Sequence, residues 1–160
     1  MALLAVVAGL GQIPVGGASP QAQLRLSLRT VQARIETCRE RSASELAALP
    51  QHMRTPTVCS EQAPDYRLRV TLDGEVVIDQ LVAPGGWRGD RPLIVDHRLD
   101  TSPGPADLSI LFAPEVDPTL PAEEVAKLPR YELERPITFT AGRIALVTLD
   151  KDDALRLVTD

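Results

Sequence analysis

Arg67-Leu-Arg-Val-Thr-Leu-Asp-Gly-Glu-Val-Val-Ile-Asp-Gln-Leu-Val82 is the stretch that decides the fold class. Leu68, Val70 and Leu72 alternate with Arg67, Arg69 and Thr71, the period of two that gives a strand one apolar and one wet face. Asp73-Gly74 then supplies the residue pair that tight hairpins favour. The return strand, 75–83, is apolar at three successive positions, Val76, Val77 and Ile78, which predicts a central strand covered on both faces.

The same period extends in both directions. Upstream, Leu24, Leu26 and Leu28 alternate with Arg25, Ser27 and Arg29; after a phase slip near Thr30 the alternation resumes at Val31, Ala33 and Ile35, implying a bulge or corner. Downstream, Leu93, Val95 and Leu99 form one row, with His97 in phase, and Leu108, Ile110 and Phe112 form another after the Ser102–Pro105 turn. Extended segments follow at 131–140, where Pro136 marks an edge or bulge, at 143–149 and at 155–158. Seven or eight short strands separated by turn residues predict a mainly β chain, an antiparallel β-sandwich.

Two segments interrupt the strands. Between Cys38 and Cys59, Ser42-Ala-Ser-Glu45 fits a capping box, and Pro50 closes a helix over about 43–49. The region 114–130 holds four prolines and an expected short helix over 122–128, with Glu123 and Lys127 spaced as a surface pair. A single domain over 19–160 is expected, carrying the excursion 38–59 and the Pro-rich insertion 114–130.

The cysteines, with twenty residues between them, have three readings. A disulfide is the simplest in an exported domain and is worth about 3 kcal/mol for a loop of that length. Two buried thiols are the second. A metal or redox role is the third, but neither cysteine has a CxxC partner, whereas zinc sites are built from short ligand pairs; no metal and no cofactor is expected.

Residues 1–18 (MALLAVVAGLGQIPVGGA) hold no charged side chain. The run 3–10 has the length of a secretory apolar region, and Gly16 and Ala18 are the small residues of a cleavage point, but no basic residue precedes them. A spanning helix needs about 20 apolar residues, and Gly9, Gly11, Pro14, Gly16 and Gly17 interrupt this one. The expectation is a membrane address: the end of an anchor whose start lies upstream, or a cleaved signal. The competing reading is an apolar helix or arm buried in a soluble domain. Either membrane reading puts the body in the periplasm, held at the inner membrane or released from it. The flanking Arg25, Arg29 and Arg34 pull the other way under the positive-inside rule.

Charge and composition exclude several functions. Net charge is −5: residues 1–60 hold six arginines against three glutamates, and residues 61–160 hold eleven basic against nineteen acidic side chains. Nucleic acid is not an expected partner, because neither half offers a basic face and aromatic residues make up only 3% of the chain. Nucleophilic hydrolysis needs a base and an orienting partner, and His52 and His97 sit in poor contexts for either. Asp150-Lys-Asp-Asp153 lacks the glycine and distal glutamate of a calcium loop.

The loop Pro84-Gly-Gly-Trp-Arg-Gly-Asp-Arg-Pro92 has two readings. Trp87, Arg88, Asp90 and Arg91 are a candidate partner contact, tryptophan and arginine being favoured at interface hot spots. Alternatively Trp87 folds back to cap the core. The loop lacks the Gly-Lys-Ser ending of a phosphate loop.

The stretch 68–114, with its Asp73-Gly74 hairpin, Pro-Gly-Gly loop, Asp90-Arg-Pro strand start and Leu108-x-Ile-x-Phe112 strand, resembles the Ig-like β-sandwich domains of small exported or membrane-anchored bacterial proteins. The segment Cys38-Arg…Ser-Ala-Ser-Glu-Leu-Ala-Ala-Leu-Pro50…Met53-Arg…Pro56-x-x-Cys59 resembles a feature of the same group. The resemblance implies a fold and a compartment and brings no activity with it. The expected function is that of a non-enzymatic, membrane-tethered periplasmic accessory domain, a small subunit docking onto other subunits of a larger membrane complex. A soluble periplasmic module for a small ligand or ion is the alternative, with a carboxylate-dependent enzyme third.

Overall fold

The computed structural model describes residues 20–159 except 32 and 88. The leader 1–18 and Arg88 therefore lie outside the described residues, and no helix among those described is long and apolar enough to cross a membrane.

The chain is mainly β. Its strands are β1 (Ala22–Thr30), β2 (Ile35–Glu40), β3 (Thr57–Gln62), β4 (Asp65–Leu72), β5 (Glu75–Val82), β6 (Leu93–Thr101), β7 (Gly104–Glu115), β8 (Tyr131–Phe139), β9 (Ile144–Leu149) and β10 (Leu155–Thr159). Among the described residues there are two short α-helices, α1 (Ala43–Ala48) and α2 (Ala122–Val125). One four-stranded sheet runs β10-β9-β1-β6, a second runs β5-β4-β7-β8, and β2 and β3 form a ribbon of their own. Pairing is antiparallel except between β1 and β9, which run parallel. These two strands are far apart in sequence, so no hairpin dictates their direction.

The alternating rows meet between the two sheets, an arrangement consistent with a β-sandwich. Leu24, Leu26 and Leu28 from β1, Leu93 and Val95 from β6 and Val147 from β9 share one buried cluster with Leu68, Val70, Leu108, Ile110 and Phe112 of the other sheet. Tyr66 and Tyr131 flank Phe112 at ring-centroid distances of 5.0 and 6.0 Å. Burial, followed by the proximity of Tyr131, pushes the Tyr66 phenol up to about 12. The charged outer face of the second sheet is laced by Arg67 and Arg69, both paired with Asp79 at 2.7 and 3.1 Å.

β5 corrects a sequence expectation. It is an edge strand, not a central one. Its register against β4 runs Val70↔Ile78 and then Thr71↔Val76, so Val77 is the additional residue of a bulge. A bulge breaks the alternation, and that break reads in sequence as three consecutive apolar positions. A bulged edge also discourages pairing with another chain. Residues 31 and 33–34 likewise do not continue β1; Val31 is 80% exposed, and the strand resumes only at Ile35. The Asp73-Gly74 hairpin forms as expected, with φ of 52° and 82° at its two central residues.

The strand registers give the molecule two distinct ends. At one end lie Pro20, the turns at 73–74, 102–103 and 140–143, and Thr159. Gly142 N–H donates to the Gln21 carbonyl at 3.0 Å there. At the opposite end are the exit of β1 at Thr30, the β2–β3 ribbon, the 83–92 loop and the 114–130 insertion. A hydrogen bond between the Thr30 and Tyr131 hydroxyls ties the two sheets together at that end.

Candidate functional site

The ribbon end gathers every candidate contact residue that the structure describes. The 83–92 loop connects β5 to β6 and so crosses from one sheet to the other. It is internally braced: Gly85 and Arg91 form a β-bridge, with Arg91 N–H donating to the Gly85 carbonyl at 3.0 Å, and Gly89 N–H reaches the Gly86 carbonyl. Gly86 has φ of 92°, a backbone conformation that favours glycine, and a Cβ there would also push aside the Asp90 carboxylate, 2.5 Å away. The braced loop presents Trp87 with its side chain fully exposed (100%). Trp87 thus does not cap the core; the bend at Gly86 turns it outward. Asp90 and Arg91 lie beside it and are also exposed.

Two further apolar side chains stand at this end. Val31 follows Thr30, which pairs with Leu93, and Ile94, 63% exposed, lies opposite Arg29 on the outer face of its sheet. Neither was singled out as a contact from the sequence. An apolar residue where the alternation slips was the available signal for Val31.

The excursion between the cysteines is a two-stranded arm. Cys38 and Cys59 are directly opposite in the β2–β3 register and bonded at 2.06 Å between the sulfurs, both exposed. At the tip, the Ser42 side chain accepts from Glu45 N–H at 3.3 Å, while the Glu45 carboxylate accepts from Ser42 N–H at 2.8 Å, closing the capping box of α1. Arg39 adds two hydrogen bonds to Glu45 at 2.7 and 3.1 Å. The Arg39 contact first, and then Ser42, hold the Glu45 carboxyl down at about 2. Arg54 Nε caps the end of the helix by donating to the Leu49 carbonyl at 2.9 Å.

The 114–130 insertion is tied to the body at its C-terminal side. Leu128 is buried, and the Tyr66 hydroxyl donates to the Pro129 carbonyl at 3.1 Å. Its helix is shorter than expected, and Lys127 pairs with Glu124 at 2.6 Å instead of with Glu123. A cleft of about 300 Å³ separates the insertion from the base of the arm, lined by Ile35, Thr37, Gln62, Asp65, Glu115 and Asp117 among others. Thr119 donates to Asp117 from both its hydroxyl and its N–H, which lowers the Asp117 pKa.

The remaining candidates are scattered. His52 is in the 3-10 turn Gln51–Met53 of the arm, and His97 is in the middle of β6 opposite Leu26. Asp150 accepts from the N–H groups of Asp152 and Ala154, closing the turn between β9 and β10.

Comparison with known family models, with curated proteins and with solved structures returned no match.

Proposed function

We propose that this chain is a non-enzymatic accessory domain of the periplasm, tethered to the membrane by residues 1–18, which docks onto protein subunits of a larger membrane complex. Its two sheets are read as an Ig-like sandwich, because the chain passes from one sheet to the other between β5 and β6, β6 and β7, and β8 and β9. One observation carries the functional reading: the polarity of the molecule. The apolar leader joins at Pro20, while the arm, the exposed Trp87 and the Pro-rich insertion all project at the other end. A tether at one end leaves those features facing away from it, where another protein can reach them. A braced loop carrying a tryptophan also forfeits little entropy on binding.

The test is extraction of the tagged full chain from native membranes. The reading expects the protein to sediment with membranes, to resist salt washing, and to leave in mild detergent as an assembly larger than one chain. A water-soluble monomer lacking residues 1–18 would sink it. The cleft between arm and insertion favours a second reading, a module for a small ligand or ion, since Asp65, Glu115 and Asp117 are among the residues that line it.

A further inference from the structure

The arm carries chemistry that its role as a contact does not use. Residues two apart on a strand share a face, so Glu36, Cys38 and Glu40 of β2 lie on one side of the ribbon. Across from them are Glu61, opposite Glu36, and Cys59, opposite Cys38. The same alternation puts Arg39 on the other face, where it engages Glu45. Arg34 reaches Glu61 at 3.0 Å, leaving the Glu36 carboxylate beside the two sulfurs. One Glu36 oxygen and both Sγ atoms lie within 4.8 Å of one another, and all three residues are open to solvent.

Arg34 engages Glu61 and not Glu36, so the Glu36 carboxylate is the anionic group beside the sulfur pair. The ligand spacing missing from the sequence, where neither cysteine has a near partner, is supplied here by strand pairing.

We propose that the reduced arm is a binding site for one thiophilic divalent cation of the Zn²⁺ class, held by Cys38 Sγ, Cys59 Sγ and the Glu36 carboxylate, with water at the fourth position. Two thiolates and a carboxylate suit Zn²⁺ in three-ligand geometry with one open place. A dithiol reductant opens the bridge: its own two sulfurs become joined, and Cys38 and Cys59 each gain a proton. The cation then displaces both protons to solvent. Disulfide and metal are alternative clasps on the same pair of strands, so the arm is held in either redox state provided the cation is present. This site stands independently of the membrane-complex reading.

The experiment uses the full chain in mild detergent, reduced with a dithiol that is then removed under argon, and titrated with Cd²⁺ or Zn²⁺ alone. The expected result is one Cd²⁺ per reduced chain with a thiolate charge-transfer band, two protons released, and displacement by Zn²⁺; the oxidised chain gives no band. Cys38→Ser and Cys59→Ser each lose the band. Glu36→Gln keeps both thiols and weakens binding by about tenfold or more. Trypsin reports on the arm itself: reduction speeds cleavage after Arg39 and Arg54, and saturating Cd²⁺ restores resistance. A reduced chain with no band, a Glu36→Gln chain binding as tightly as the parent, or cleavage unchanged by Cd²⁺ overturns the site.

Discussion

Thr30 is the polar residue buried among the described apolar cluster, 5% exposed, and its hydroxyl shares a hydrogen bond with that of Tyr131 on the facing sheet. A buried hydroxyl without a partner costs about 1–3 kcal/mol. The other contact of the Thr30 hydroxyl, to the Val31 carbonyl, is long at 3.4 Å and replaces little of it. Tyr131→Phe and Thr30→Val should therefore each destabilise the fold by about 1–3 kcal/mol in urea unfolding. The double variant should cost less than the sum by at least about 0.5 kcal/mol, because it leaves no orphaned hydroxyl. Strict additivity would show that the two hydroxyls do not depend on each other. The pairing explains how a threonine ends an otherwise apolar row, a detail sequence alone does not offer because the partner lies 101 residues away.

Among the elements, those whose order comes from their own residues were legible and those whose order comes from neighbours were not. Leu24, Leu26 and Leu28, the Asp73-Gly74 turn and the Ser42–Glu45 capping box are local signals, and each forms where it was expected. The edge position of β5 depends on a bulge opposite Val70 and Thr71, and a bulge and a doubly buried strand write the same apolar run. The outward turn of Trp87 depends on the Gly86 backbone angle, and the proximity of Glu36 to both sulfurs depends on register. The arm allows a local test. Ser42→Ala should weaken α1 by about 1 kcal/mol, raising amide exchange at its last turn about fivefold while global stability stays the same. The Glu45 carboxyl is held at about 2, below its ordinary 4.5. Its contribution to the cap is therefore full above pH 4.5 and fades as pH falls toward 2. Protection in α1 of the parent, taken against the intrinsic exchange rate at each pH, should fall over that window, and the Ser42→Ala chain should respond less; an identical response in both would remove the cap from the explanation.

At the scale of the molecule, stability and contact are assigned to different places. The cluster between the sheets contains Leu26 and Phe112, neither of them exposed, whereas Trp87 buries nothing of itself against the protein. Large-to-small changes in such a cluster cost about 2–5 kcal/mol, while surface changes fall within about 0.5 kcal/mol. Trp87→Ser should accordingly leave the unfolding midpoint of the full chain where it is, and Phe112→Ala should lower it by many degrees. In the membrane-extraction experiment the order reverses in meaning. If the proposed tether and docking hold, Trp87→Ser should still sediment with membranes, since Trp87 stands at the end opposite Pro20, but should leave detergent as a single chain, because a tryptophan at the centre of an interface is worth about 2 kcal/mol or more. A Trp87→Ser chain that keeps its large assembly places the contact elsewhere on the ribbon end. One that unfolds earlier than the parent would contradict the exposed position of the side chain itself. The informative result is the combination of unchanged stability, unchanged membrane association and lost assembly, because no defect in folding or in tethering produces all three.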